Sequence, residues 1–492
     1  MFPARDDAGP VPVHRSRADG NAYAAVDLGA ASGRVVRGAI TGDRIEMREV
    51  HRFANRPMHL PDGLHWNIGG LFEQACLGLA AAGPVRSAGI DSWAVDYGLL
   101  DADGRLLGLP YHYRDGRTAR PDVPPIDAVE LFQRTGVADQ PFNTVHQLRA
   151  EPRYRLDAAR HLLLIPDLLG YWLTGRIGAE RTNASTTGLY HVSTRDWDHQ
   201  LISRLGLPQR LFSPISGPGT RLGAVRAPLA DQVGGKYPIV HVASHDTASA
   251  VAAVPAHAAG LAYICTGTWS LVGVERPTPL LSVPAREHGF TNEAGVNGIR
   301  LLRNVMGLWL LQECMREWPG TNPAELTARA AAVPALTTLI DVDDPRYRAP
   351  AETGQPPMTH RIAAGCDGPP PLSPAEYTRC IIDSLAVGHA LAIADAAAVT
   401  GHGIDTVHLV GGGARNTLLC QATADACGLP LAAGPAEATA MGNLLAQAIS
   451  DGVLPDWQRA RELVAATHPP TRYIPSGDPA WRTAVERVAT RR

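Results

Sequence analysis

Two hairpins built around glycine turns constrain this chain most, because each opens one half of it. The first is Ala25-Val-Asp-Leu-Gly-Ala-Ala-Ser-Gly-Arg-Val-Val36 and the second is Tyr263-Ile-Cys-Thr-Gly-Thr-Trp-Ser-Leu-Val-Gly273. Both are followed by the same order of patterns: helix, buried strand, then a turn opening a helix. A chain that lays down this order twice is an α/β protein of two similar halves. With 492 residues it has material for two separate cores.

In the first half, residues 22–54 read as a β-meander. Strands Tyr23–Val26, Arg34–Ile40 and Ile45–Phe53 are separated by turns at Gly29–Gly33 and Thr41–Asp43. Helix Leu71–Ala82 leads to strand Ser87–Ser92, and a further hairpin is expected to pair Tyr97–Leu100 with Arg105–Leu109. A helical insertion at about 125–200 carries helices at Asp127–Gln133, Thr144–Arg149 and Pro166–Leu173. Strand Ile239–Ala243 and a polar turn at Asp246 close the half. The second half begins at Gly260 with the hairpin Leu261–Val274, then amphipathic helices Gly307–Glu317 and Glu376–Val399. Strand Thr406–Val410 runs into the Gly411–Asn416 turn and helix Thr417–Cys427, which Gly428 stops; a last helix covers Thr439–Ser450. The expected domains are 21–254 and 255–455, with 1–20 a flexible tail and 456–492 a peripheral one.

A balance of 45 basic against 48 acidic residues argues against nucleic acid or an anionic membrane as partner. The single lysine, Lys236, sits in no phosphate-loop pattern, so any nucleotide chemistry must manage without one. Seven cysteines show no metal-ligand spacing. Cys420 and Cys427 are about 10 Å apart along one helix, too far to bond each other. Cys366 and Cys380 flank a proline-rich loop and could meet. A reduced, cytoplasmic protein is the simpler expectation. Met1–Gly20 lacks the apolar core of a signal peptide, and no uninterrupted apolar run reaches the roughly 18 residues of a membrane span.

Asp246 follows a buried strand, at the carboxyl end where open α/β sheets place their ligands. A helix cap is the ordinary alternative for it. Asp27 stands likewise before the small-residue turn Leu28–Gly33. Glycines there let a backbone approach a phosphate, amides and Ser32 can donate to it, and Asp27 suits a metal-bound water. A plain hairpin with a capping aspartate reads equally well. Thr266–Ser270 is the matching turn, and the two together suit a polyphosphate clamped from both sides. Gly411–Gly413 leaves space for a nucleoside beside a helix start, or is a structural turn. The segments Ile90–Tyr97 and Tyr111–Arg117 combine aromatic and charged residues, as hydroxyl-rich ligands require, although Trp93 reads equally as core.

Taken in order, Val26–Arg34, Gly89–Asp96, Tyr113–Asp115, Pro141–Thr144, Ala243–Ala250, Gly267–Leu271, Asn304–Gln312, Val410–Gly413, Ala424–Gly428 and Glu437–Gly442 make the chain resemble the FGGY carbohydrate kinases from about Ala22 to Gly452. The resemblance implies two RNase-H-like domains flanking a cleft for ATP and a sugar, with Mg²⁺ as the metal. It implies Asp246 as general base and Ala30, Ala31, Ser32, Gly33, Arg34, Thr268, Gln312 and Gly412 as ATP contacts. Gly89, His245, Thr247 and Asn304, with Asp246, would meet the sugar, and Asp27 would hold the metal through water. Within the family, Ser244–Thr247 and Asn304–Gln312 point to L-rhamnulose as acceptor rather than glycerol or xylulose. Ala31 stands where serine is usual, and Ala94 where glycine is usual beside the sugar loop. Ala94 keeps L-fuculose or L-ribulose open as acceptors, and a silent ATP and sugar sensor is the contrasting expectation. A monomer or small homo-oligomer is expected.

Overall fold

A computed structural model describes residues 21–119, 126–256, 260–348 and 354–492; the expected tail at 1–20 lies outside the described residues. Strand Ala22–Leu28 is buried along its whole length, as suits the centre of a sheet covered on both faces. It pairs antiparallel with Ser32–Thr41, which pairs antiparallel with Arg44–Ala54. On its other side it runs parallel to Ala88–Ser92, and that strand runs parallel to Pro238–His241. Thr220–Ala224 completes a six-stranded sheet at the far edge. Helix Ile68–Ala82 begins one turn earlier than its apolar pattern suggests, because Asn67 caps it by accepting from the Gly70 amide.

The second sheet repeats the plan. Leu261–Thr266 pairs antiparallel with Trp269–Arg276, which pairs antiparallel with Ile299–Met306; Thr406–Val410 and Leu431–Ala433 follow in parallel. Edge strands Thr291–Ala294 and Thr471–Tyr473 bring it to seven. Its core is built on helix Pro374–Thr400, which opens with a Ser373/Glu376 capping box and ends at Gly401. Among the described residues this is the one helix long and apolar enough to cross a membrane, and 78% of its apolar stretch is buried inside the protein.

The halves meet through two helices, Asp246–Ala252 and Ala438–Ser450. Gly442 permits their approach: a Cβ there would stand 1.9 Å from the Ser249 carbonyl oxygen. From the same helix Gln447 Nε2 donates to the Ala24 carbonyl at 2.9 Å, and Asn443 Nδ2 donates to Asp91 at 2.5 Å. The second half is thus hydrogen-bonded into the central strands of the first.

Two expectations are corrected. Tyr97–Leu100 pairs with His161–Leu164, not with Arg105–Leu109, which keeps only a bridge at Leu106. The later segment His161-Leu-Leu-Leu164 supplies the apolar partner that the Gly-containing Arg105–Leu109 run does not. Nor is 456–492 peripheral. Helix Trp457–Thr467 buries Trp457, Leu463 and Val464, and helix Pro479–Ala489 buries Trp481 and Val488 in the second core. Strand Thr471–Tyr473 covers an edge that Leu431–Ala433 would otherwise expose.

Candidate active site

Both sheets direct their turns into one cleft of about 870 Å³. From the first half come Ala30, Ala31 and Ser32, held by Gly29 N donating to the Ser32 carbonyl at 2.9 Å and by Asn55 Nδ2 donating to the Gly29 carbonyl at 2.9 Å. From the second come Thr268, Gln312 and Gly412. The neighbouring Gly411 has φ +86°, and a Cβ there would stand 2.9 Å from the Thr266 carbonyl oxygen, so this turn needs glycine twice over. His245, Asp246, Thr247 and Asn304 also line the cleft, as does Ala94.

The Asp246 side chain is 31% exposed, opening into this cleft. Its Oδ1 accepts from the Thr247 amide at 2.5 Å and the Thr247 hydroxyl at 3.1 Å. Oδ2 has no protein partner among the described residues. Desolvation raises its pKa; His245 opposes the shift and Asp27 reinforces it. The turn carrying Asp246 is anchored from below by Glu180, fully buried, which accepts from the Ser244 amide at 3.0 Å and the Ser244 hydroxyl at 2.9 Å. Nothing in the spacing of the sequence links Glu180 to residue 244.

Asp27 stands at the end of the central strand. Its Oδ2 accepts from Arg34 Nε at 2.9 Å and Nη2 at 2.7 Å. Arg34 also pairs with Glu437 of the second half, which in turn pairs with Arg415. Arg34 is therefore turned to carboxylates rather than into the cleft, and Gly33 and Asp27 also lie behind its lining. Gly89 is further off: it is inside strand Ala88–Ser92, where a Cβ would meet Val242 and Asn443. Of the expected sugar contacts it is the one the fold sets apart from the cleft.

The aromatic segments divide. Trp93 is 6% exposed and at the cleft edge, and its Nε1 donates to Asp96 at 2.9 Å, as does Trp66 Nε1 at 2.6 Å. Gln147 Nε2 and the Tyr113 amide complete the set around Asp96, whose pKa burial pushes up to about 6. Val95, between these groups, has φ +67°, a strained value for a β-branched residue, and lines the cleft. No metal-ligating cluster of three or more side chains occurs among the described residues.

The family model for the N-terminal domain of FGGY carbohydrate kinases matches residues 79–253, and that for the C-terminal domain matches 262–450. The chain belongs to the FGGY carbohydrate kinases. Among family members, a rhamnulokinase of Enterococcus faecalis is 40% identical over 478 residues, covering 94% of this chain and 96% of its own. A rhamnulokinase of Bacteroides thetaiotaomicron is 37% identical over 474 residues, covering 94% and 97%. The fold is shared with a gluconate kinase from Lactobacillus acidophilus (TM-score 0.76, 13% identity, 96% of this chain and 97% of that one). It is also shared with Plasmodium falciparum glycerol kinase (TM-score 0.74, 13% identity, 96% and 98%). The chain is an ATP-dependent carbohydrate kinase of this family.

Proposed function

We propose that the protein transfers the γ-phosphoryl group of ATP to the 1-hydroxyl of L-rhamnulose, giving L-rhamnulose 1-phosphate and ADP, as a cytoplasmic step of L-rhamnose catabolism. The observation that carries this reading is the 37–40% identity with rhamnulokinases over 94% of a chain whose cleft is lined by a strand-end carboxylate, Asp246. Seven free thiols suit a reducing compartment.

In this reading the unit 21–254 supplies the base, the phosphate turn and most of the sugar site, and the unit from 255 onward supplies Asn304 and most of the ATP site. Asp246 Oδ2 accepts the proton of the 1-hydroxyl as that oxygen attacks the γ-phosphorus in line. Desolvation raises its pKa against the opposing His245, which makes it a stronger base than an ordinary carboxylate. His245, Thr247 and Asn304 orient the sugar. The amides of Ala30–Ser32, with Thr268, Gln312 and Gly412, orient the phosphates and nucleoside. Asp27 fits a water-mediated metal: Arg34 occupies its Oδ2 and leaves Oδ1, and a magnesium ion on phosphates needs few carboxylates. When bound, that ion supplies charge neutralisation at the phosphates. Arg34 and Gly89 act behind this layer, the first by fixing Asp27 and the second by close strand packing.

The test is ADP release with Mg-ATP and a panel of L-rhamnulose, L-fuculose, L-ribulose, D-xylulose and glycerol. Preference for L-rhamnulose is expected. Preference for another ketose overturns the acceptor, and ATP binding without turnover on any of them overturns the kinase reading.

A further inference from the structure

We propose that Glu293 and Arg300, both from the second sheet, are positioning residues that orient the His245 imidazole so that its Nε2–H faces Asp246 and the sugar hydroxyl. This role rests on the reading of Asp246 as the base of a ketose kinase.

Glu293 and Arg300 are cross-strand partners in register on Thr291–Ala294 and Ile299–Met306. Arg300 Nη2 donates to Glu293 Oε2 at 2.8 Å, and the residues are 0% and 7% exposed. The ion pair is not closed on itself. His245, from the first half, brings Nδ1 to 3.1 Å from both Glu293 Oε2 and Arg300 Nη2, and Nε2 to 3.5 Å from Asp246 Oδ1. A buried ion pair gains little stability over apolar residues of the same volume, so its placement against an active-site imidazole calls for another reason.

The chemistry of the donors fixes the proton. Arg300 can only donate and ionised Glu293 can only accept. If Nδ1 accepts from Arg300, the one proton of a neutral imidazole sits on Nε2. If Nδ1–H donates to Glu293 from a neutral ring, a bare Nε2 lone pair faces the Asp246 carboxylate, which is repulsive. The remaining arrangement is the imidazolium, again with a proton on Nε2. Both acceptable arrangements therefore present Nε2–H to the base and the acceptor.

The strand that carries Glu293 is fixed to the first half on both sides of it. Asn292 donates to the Gly136 carbonyl through N at 2.8 Å and Nδ2 at 3.2 Å, and the Ala294 amide donates to Ser185 Oγ at 2.9 Å. Glu293 therefore meets His245 already ordered. Other ionisable groups act on the pair of His245 and Asp246. Asp27 acts on Asp246 from the first sheet and Asp246 in turn acts on Asp91, while Cys265, a thiol pushed up to about 12 by burial, stays neutral.

The experiment compares wild type with Glu293→Gln and Glu293→Asp, using Mg-ATP and L-rhamnulose across pH. With Glu293→Gln, kcat is expected to fall at least about tenfold while the KM for ATP stays within about twofold, since only the acceptor side is disordered. The acid limb of kcat is expected to move to higher pH, because a misoriented imidazole no longer turns Nε2–H to Asp246 and no longer opposes the rise of that carboxyl's pKa. Glu293→Asp is expected to restore part of kcat and return the limb. An unchanged kcat with an unmoved limb overturns the proposal, and so does a loss of kcat and ATP affinity together with an unmoved limb. Independently of any variant, ¹⁵N imidazole NMR of the wild-type protein is expected to show His245 Nε2 protonated from about pH 6 to 8. A bare Nε2 overturns the proposal even if Glu293→Gln fails to fold. Absence of turnover on every ketose strikes the kinase reading instead and leaves the NMR result standing.

Discussion

Asp27 and Asp91 stand side by side in register on adjacent parallel strands, at the ends that meet the cleft. Asp91 is fully buried and accepts from Asn443 at 2.5 Å, so a helix of the second half contacts the carboxylate pair of the first. Burial, reinforced by Asp27, pushes Asp91 well above the usual carboxylate range. Two adjacent carboxylates in a dry site do not both ionise readily, and the one without an arginine is the one that keeps its proton.

The pair therefore predicts unequal effects of removing charge. Asp91→Asn is expected to leave kcat within about threefold, since the amide replaces a carboxyl whose charge burial and Asp27 already disfavour. Asp27→Asn is expected to lose at least about tenfold, with a higher KM for Mg-ATP. The stability consequence has a definite sign. A carboxyl raised in the folded state binds more protons folded than unfolded, so it lowers stability as pH rises from the ordinary value near 4 toward its own. Thermal unfolding from acid to neutral pH should show Asp91→Asn losing less stability with rising pH than wild type. Equal activity loss in both variants would show the assignment of the proton to Asp91 to be wrong.

Asp246→Asn is expected to retain ATP affinity within about twofold in calorimetry and to lose roughly 10²–10⁴ in turnover, the span of a positioned general base. The amide keeps the shape and the bonds from Thr247 while removing proton acceptance. Turnover near the wild-type rate would remove Asp246 from the chemistry.

The same carboxylate sets the acid side of the pH profile. Activity requires its charged form, so the rate falls as pH drops through its folded pKa. Desolvation first, then Asp27, raises that value, with His245 and the Thr247 bonds opposing. The acid limb of kcat/KM for the ketose is expected above the ordinary carboxylate value of about 4. A limb at or below that value would mean that the cleft around Asp246 is as wet as free solution.

Most of this site is legible in the sequence where neighbours along the chain do the work. Strand Thr406–Val410 and helix Thr417–Cys427 match their patterns residue for residue, because Gly411, Asn416 and Gly428 mark their ends locally. Asp246 and the turn Ala30–Ser32 are legible for the same reason. What escapes is long-range. Tyr97–Leu100 offers no sign that its partner begins at residue 161. Glu293 lies on the edge strand Thr291–Ala294 and Arg300 on its neighbour Ile299–Met306, and only the fold brings His245 to them. Arg34 reads as part of the phosphate turn, but pairing with Asp27 and Glu437 draws it behind the cleft.

The last thirty-odd residues make the same point with a measurable consequence. Trp481 is 4% exposed in the second core, in a segment whose sequence looks peripheral. Trp481→Ala is expected to cost about 3–5 kcal/mol in chemical denaturation, as for other buried tryptophans. A chain ending at 455 is expected to be insoluble or unfolded rather than a trimmed active enzyme. A soluble, active truncation would return these residues to the status of a tail.

The contact between Gly442 and Ser249 carries the final prediction. The two interface helices approach so closely that a Cβ at Gly442 would lie 1.9 Å from the Ser249 carbonyl oxygen, 2.6 Å from its carbonyl carbon and 3.0 Å from its Cα. All three neighbours are backbone, so no rotamer change relieves the clash and the helices themselves must separate. Gly442→Ala is expected to destabilise the protein by about 1–3 kcal/mol, the usual cost of overpacking, despite the better helix propensity of alanine. Because the Ser249 helix begins at Asp246 and the Gly442 helix carries Asn443 to Asp91, the displacement reaches both the cleft carboxylate and the buried one. The expected kinetic signature is a lower kcat together with a changed ketose KM, read alongside urea unfolding of the same preparation. A variant as stable and as active as wild type would mean that the helices slide freely past one another, and that the register between the halves is set elsewhere.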